Sequence, residues 1–143
     1  MTSSGAPAVA LSSVRIDRGG RTILRDVDLA VPAGSVTAVL GPSGSGKSTL
    51  LAALTGELVP VSGQVRVFGR AVPRGSRELL EMRKGIGVLL QGNGLLTDLT
   101  VGENVALPLR AHTRLPAALV ERIVAFKLNA VGLRAAVDAW PRE

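Results

Sequence analysis

Apolar and polar residues near the start of the chain follow the pattern of strands that face a core on one side. Residues 8–17 form one such segment, and residues 23–31 partly alternate apolar and polar positions. A period of two predicts half-buried strands, and the glycine pair in Arg18-Gly19-Gly20-Arg21 predicts a tight turn between them. We therefore expect an antiparallel β hairpin, preceded by a flexible tail over residues 1–8.

Two short apolar runs differ from this alternation because they are apolar almost without interruption. Residues 35–40 follow the turn residues Pro32-Ala33-Gly34, and residues 86–91 end in the polar Gln91, ahead of Gly92-Asn93-Gly94. Continuous apolar runs of this length are typical of parallel strands that are buried on both faces. Both runs are predicted to be buried strands, and residues 62–69 add a third, alternating strand that ends in glycine.

Several segments have helical patterns, most of them in the second half of the chain. One helix is predicted from Lys47 to Leu54, and a short charged helix is predicted over residues 77–84. Thr100 precedes Glu103 by three residues, which is the spacing of a capping box at a helix start. Gly132 stands where a left-handed residue ends the last helix. The apolar residues before this glycine recur at helical spacing, which predicts an amphipathic helix of about four turns. They are Leu119, Val120, Ile123, Val124, Leu128 and Val131.

The candidate chemistry lies between the first buried run and the first helix. Residues 41–48 match the pattern G-x-x-x-x-G-K-[ST]. Glycines allow the backbone to turn its N–H groups toward a polyphosphate, Lys47 adds a positive charge, and the Ser48 hydroxyl is a typical Mg²⁺ ligand. The sequence therefore predicts a nucleotide-binding loop. Its predicted binding residues are Gly41, Pro42, Ser43, Gly44, Ser45, Gly46, Lys47, Ser48 and Thr49.

Composition limits the other classes of function. The chain of 143 residues has no cysteine and a net charge of +6, without a run of five basic residues. Two phenylalanines, one tryptophan and no tyrosine leave few rings for stacking bases, so nucleic-acid binding is not expected. No apolar stretch approaches the roughly 18 to 20 residues of a membrane-spanning helix. The N-terminus does not resemble a secretory signal, and we expect a soluble, intracellular protein.

The order of hairpin, phosphate loop, strand ending in glutamine and helical insert resembles the nucleotide-binding domain of ABC transporters. The resemblance implies an α/β P-loop NTPase (ABC ATPase) core with an N-terminal antiparallel β subdomain and the start of a helical subdomain. The β subdomain and core would span about residues 9–92, and the glutamine loop and helical subdomain about 91–143. ATP and Mg²⁺ are the implied cofactors. Lys47 would hold the phosphates, and Gln91, the glutamine of this loop, would contact Mg²⁺ and the attacking water.

Residues 89–110 are similar to the lipid-transport branch of this family, the ATPases of the Mla and mammalian-cell-entry systems. This implies an energy-coupling subunit that moves phospholipid or other lipids, located on the cytoplasmic face of the cell membrane. An integral-membrane permease and a second ATPase subunit are the implied partners. Four apolar residues have two possible roles: they contact the permease, or they pack between the subdomains. These residues are Leu95, Leu96, Leu99 and Val101.

Departures from the family pattern qualify this prediction. Arg18 occupies the position where many ABC ATPases stack an aromatic ring on adenine, so it either stacks through its guanidinium plane or is a solvated turn residue. The LSGG signature, the Walker B carboxylates and the switch histidine would follow Glu143, and His112 lies too early to replace that histidine. We expect a truncated domain with negligible ATPase activity by itself. The alternatives are a non-catalytic nucleotide-binding or assembly fragment, a soluble non-transport ABC ATPase and a P-loop kinase.

Overall fold

The computed structural model describes residues 6–89, 92 and 94–142, which fall into two compact units. The first unit ends at Gly87 and the second begins at Val88. The predicted boundary between subdomains, near residues 91–92, stays a prediction. In the described part of the chain, no helix combines the length and the apolar character needed to cross a membrane.

A four-stranded antiparallel sheet organises the first unit, and its strands are β1 Val9–Arg18, β2 Arg21–Val31, β3 Ser62–Val67 and β4 Arg70–Ala71. They lie side by side in the order β2-β1-β3-β4. The predicted hairpin is confirmed, because β1 pairs with β2 and the intervening Gly19 and Gly20 both have positive φ. The predicted strand over residues 62–69 instead turns at Phe68 and Gly69 to form a second, short hairpin.

Two helices belong to the same unit and confirm the helical predictions. They are α1 Lys47–Leu54 and α2 Ser76–Arg83. Ala53 of α1 is buried with Leu11, Val14, Ile16 and Val65 of the sheet. The Arg83 Nε donates to the Thr55 carbonyl, just beyond α1, at 2.8 Å. The sheet core therefore supports α1, and α2 is bonded to the end of α1.

The two predicted buried strands do not form in the described residues. Residues 35–40 and 86–89 have no strand pairing, and Val36, Leu40 and Leu89 are 102%, 90% and 95% exposed. The remainder of the second run, Leu90 and Gln91, lies outside the described residues. A parallel strand obtains its hydrogen bonds and its burial from neighbouring strands. Because no described strand lies beside either run, apolar composition alone does not produce a strand here.

The second unit is built on a helical hairpin. Its elements are α3 Val101–His112, α4 Ala117–Ala130 and a short 3₁₀ helix, Arg134–Ala136. The predicted capping box is confirmed, since the Glu103 N–H donates to Thr100 Oγ1 at 3.2 Å and the Thr100 N–H donates to Glu103 Oε2 at 2.8 Å. Gly132 has the expected positive φ of 76°.

The buried face of α4 is narrower than its sequence predicts. Val120, Val124 and Leu128 are buried against Ala106 of α3. Leu119 and Val131, predicted for the same face, are largely exposed. Helix α3 covers only a narrow stripe of the α4 surface. The apolar residues of α4 at the edges of that stripe therefore remain exposed to solvent.

Candidate phosphate-binding site

The loop that leads into α1 is a tight, exposed turn. Residues 41–45 are exposed, and the Ser45 N–H donates to the Pro42 carbonyl at 3.3 Å. Gly44 and Gly46 have φ angles of 80° and 96°, which lie in the left-handed region that glycine adopts without strain. Gly41 approaches the same turn closely, since a Cβ on it would lie 2.7 Å from Ser45 Oγ. Glycine is therefore favoured at Gly44 and Gly46 by their φ angles and at Gly41 by its close approach to Ser45.

Lys47 lies back along this loop. Its Nζ donates to the carbonyls of Gly41 and Pro42, both at 2.7 Å, and to Ser45 Oγ at 3.4 Å. Three contacts to one short turn fix a positive charge directly beside the loop. An anion that reached the loop would meet this ammonium group at short range, where charge-assisted hydrogen bonds are strongest.

The start of α1 has no competing negative group. Gly46 provides no side-chain cap, and no acidic residue lies in the first turn. The unpaired N–H groups and the helix dipole together favour an anion at this end. The Ser48 side chain is exposed, so its hydroxyl oxygen can serve as a metal ligand, whereas Thr49 is only 6% exposed. These donors fit a polyphosphate bound with Mg²⁺.

Strand β2 supports the loop through a contact that the sequence did not reveal. A Cβ at Gly46 would lie 2.8 Å from Leu24 Cδ2 and 3.4 Å from Ile23 Cγ2. Leu24 is itself opposite Ile16, a residue of the sheet core. The hairpin therefore holds the C-terminal end of the loop. The available signal was the apolar pair in β2, but nothing in its spacing identified the loop as its neighbour.

Arg18, the candidate adenine contact, is exposed where β1 ends. On the same hairpin, Arg15 donates to both carboxylate oxygens of Asp17, at 3.1 and 3.0 Å, and to Thr22 Oγ1 at 3.2 Å. Hydrogen bonding from Arg15, and then from Thr22, lowers the pKa of Asp17 below its ordinary value. These hydrogen bonds on the hairpin join Arg15, Asp17 and Thr22 and do not include Arg18. Stacking of Arg18 on adenine therefore stays a prediction.

Gln91, the second predicted catalytic residue, lies outside the described residues, so its position relative to the loop stays open. The segment after it belongs to the second unit. Leu95 and Leu96 are 52% and 51% exposed, whereas Leu99 and Val101 are partly buried. Val101 packs against the helical core. Of the four predicted permease contacts, only the two consecutive leucines form a substantially exposed apolar pair.

A cavity of about 360 Å³ borders Leu95, the first leucine of this pair. Val88, Leu89, Leu95, Thr97 and Pro141 are among its lining residues. The cavity and the exposed leucines give the second unit an apolar surface.

Comparisons with known proteins bear on both units. The ABC transporter family profile matches residues 24–140. The phospholipid transport ATP-binding protein MlaF of Escherichia coli K12 is 44% identical over 144 aligned positions, which cover 100% of this chain and 54% of that protein. MlaF of Haemophilus influenzae is 43% identical, and the match covers 94% of this chain and 52% of that protein. The chain thus spans about half the length of these relatives.

A third relative has a different description. The probable ribonucleotide transport ATP-binding protein mkl of Mycobacterium leprae is 37% identical, with 95% of this chain and 40% of that protein covered.

Solved structures confirm the fold class. CbiO1 of Clostridium perfringens, part of an ABC transporter complex, matches with a TM-score of 0.85 at 24% identity over 94% of this chain and 54% of that one. A dimeric ATP-binding cassette bound to ADP and Pi matches with a TM-score of 0.81 at 28% identity, over 94% of this chain and 62% of that one. The predicted α/β P-loop architecture is therefore confirmed, and the chain belongs to the ABC transporter family.

Proposed function

We propose that this chain is part of the ATP-binding, energy-coupling subunit of an ABC transporter. The observation that carries the proposal is the Lys47 ammonium, held 2.7 Å from two carbonyls of a glycine loop at an uncapped helix start. A fixed cation, the N–H groups of a first helical turn and a helix dipole suit a nucleoside triphosphate. Transport as the purpose follows from the similarity to transport ATP-binding proteins.

Each predicted site residue has a proposed role. Residues 41–48 would surround the phosphates, with Lys47 on the β and γ groups and Thr49 behind the loop. Ser48 would hold Mg²⁺ together with Gln91, and the metal would neutralise charge on the phosphate oxygens. Arg18 would lay its planar guanidinium on the adenine ring.

Phospholipid or another lipid is the proposed cargo. Two relatives described as phospholipid transport proteins share 44% and 43% identity with the chain, against 37% for the relative described as a ribonucleotide transport protein. The nucleotide site is common to both descriptions, so cargo choice would reside in a membrane partner. The proposed partners are an integral-membrane permease, which would contact Leu95 and Leu96, and a second ATPase subunit. The proposed location is the cytoplasmic face of the membrane.

The test of nucleotide binding is Lys47→Ala, measured by titration of a fluorescent ATP analogue with Mg²⁺. Hydrogen bonds to charged groups contribute about 1.5–3 kcal/mol, so the dissociation constant should rise about 10- to 150-fold. Lys127→Ala is the matched control, because Lys127 is exposed on α4 in the other unit. Equal affinity of the Lys47→Ala variant and the original chain would contradict the proposed site.

Hydrolysis by this chain alone is proposed to be negligible. Phosphoryl transfer needs charge stabilisation from several sources, and the loop, Lys47 and Ser48 supply only part of it. Purified chain should therefore bind nucleotide without appreciable release of inorganic phosphate. Mg²⁺-dependent phosphate release that disappears in the Lys47→Ala variant would show that the chain is catalytically complete.

A further inference from the structure

A side chain of α3, Asn104, bonds the backbone of the segment that carries the exposed leucines. The Leu96 N–H donates to Asn104 Oδ1 at 2.8 Å, and Asn104 Nδ2 is 3.0 Å from the Leu96 carbonyl. The same Nδ2 lies 3.1 and 2.9 Å from the carbonyls of Leu99 and Thr100. One carboxamide therefore bonds both backbone groups of Leu96, as a neighbouring strand would, and fixes the turn that follows.

The start of α3 does not depend on this carboxamide. The backbone N–H groups of Val101 and Gly102 donate to the carbonyls of Ala139 and Val137, both at 2.9 Å. The Glu103 N–H donates to Thr100 Oγ1 at 3.2 Å. The first-turn donors are thus satisfied by other groups, and the Asn104 side chain bonds the backbone of Leu96, Leu99 and the N-cap residue Thr100.

Burial does not account for the order of this segment. Leu95 and Leu96 stay 52% and 51% exposed although the backbone beside them is hydrogen-bonded. Fixing a turn costs conformational entropy, and here that cost is not offset by burying both leucines. The hydrogen bonds instead hold two consecutive apolar side chains at the surface, and Leu95 lines the cavity of about 360 Å³. A rigid apolar surface loses less entropy when a partner binds.

We propose that Asn104 is a positioning residue for partner docking, which presets Leu95 and Leu96 for the membrane permease. The inference rests on the proposed function, because the partner is the permease named there. Asn104 touches neither nucleotide nor partner in this role and acts through the backbone of residues 96–100. The Asn104 Oδ1 accepts from the Leu96 N–H, and the Asn104 Nδ2 donates to backbone carbonyls. Both kinds of hydrogen bond are required to hold the segment in place.

Variants of the complete gene product separate these two kinds of hydrogen bond. Asn104→Ala removes both, whereas Asn104→Asp keeps the shape and an acceptor but cannot donate to the three carbonyls. Asn129→Ala is the matched control, because Asn129 is an exposed residue of α4. Leu95→Asp combined with Leu96→Asp tests the docking surface itself.

The first readout is amide hydrogen exchange of the protein without its partner. The Leu96 N–H donates to Asn104 Oδ1, and the Leu99 N–H donates to the Leu96 carbonyl at 3.3 Å. Exchange of these two amides should be about tenfold faster or more in Asn104→Ala, since each 1.4 kcal/mol of opening free energy is a factor of ten. Amides of residues 101–104 should keep their protection, because their acceptors are unchanged. Unchanged exchange at Leu96 and Leu99 would overturn the inference.

The second readout is ATPase stimulation by the co-expressed permease purified in detergent. The permease concentration at half-maximal stimulation should rise about tenfold in both Asn104 variants and stay constant in Asn129→Ala. A purely structural role would speed exchange without this shift, and that result would overturn the positioning role. A normal response in the double leucine variant would overturn the proposed docking itself. Loss of response there, with normal Asn104 variants, would overturn only the role of Asn104.

Discussion

At the scale of single residues, the candidate site depends on backbone geometry more than on side-chain chemistry. Lys47 can contact Gly41 and Pro42 only because the loop turns tightly between them. Gly44 and Gly46 make that turn with positive φ, yet their surroundings differ. A Cβ at Gly44 would meet nothing within 4 Å, whereas one at Gly46 would lie 2.8 Å from Leu24 Cδ2.

This difference predicts unequal effects of the same substitution. Gly44→Ala should cost about 1–2 kcal/mol, because it carries only the strain of a left-handed alanine. Gly46→Ala should cost about 1–3 kcal/mol more, because the added methyl group is also forced against β2. Urea unfolding of the two variants measures the difference. Equal losses of stability would mean that Leu24 moves aside freely and does not fix the loop.

At the scale of elements, the features that depend on local hydrogen bonds formed as the sequence predicts. The capping box at Thr100 and Glu103, the glycine turn of the first hairpin and the left-handed Gly132 all form as predicted. Each depends on residues within a few positions of one another, so the sequence contains all the interacting groups. The amphipathic pattern of α4 did not specify which of its apolar residues are buried: Leu119 and Val131 are exposed, because burial depends on how wide a face the neighbouring helix covers.

The capping box gives a prediction at this scale. Thr100→Ala should destabilise the second unit by about 1 kcal/mol, because the Glu103 N–H loses its acceptor. Thr100→Ser should stay within a few tenths of a kcal/mol, since a serine hydroxyl caps equally well. Thermal unfolding followed by helical circular dichroism compares the two. If serine were as damaging as alanine, the threonine methyl group and not the cap would matter.

At the scale of the whole molecule, side chains of one type have opposite environments. Val14 is fully buried in the sheet core, whereas Val36, in the first apolar run, is fully exposed. Hydrophobicity cannot distinguish the two, since both lie in segments that predict strands. The difference arises because β1 has a strand on each side and residues 35–40 have none in the described chain.

Matched substitutions test this contrast in the 143-residue chain. Val14→Ala should lower the free energy of unfolding by about 1.5–3 kcal/mol, because it removes buried apolar surface. Val36→Ala should change it by less than about 0.5 kcal/mol, as is usual for exposed positions. Denaturant titration of both variants provides the comparison. A large loss in Val36→Ala would show that residues 35–40 are packed in solution.

The sequence by itself determined the tight glycine turn before α1, the first hairpin, the helices and the caps, because these depend on glycine, spacing and neighbours along the chain. It also carried the resemblance to the ABC family that the comparisons confirmed. Only the tertiary structure decided that residues 35–40 remain unpaired, that Leu24 supports Gly46 and that Asn104 holds Leu96. Those outcomes join groups distant in sequence or require a neighbouring strand, and local patterns do not specify which distant groups meet.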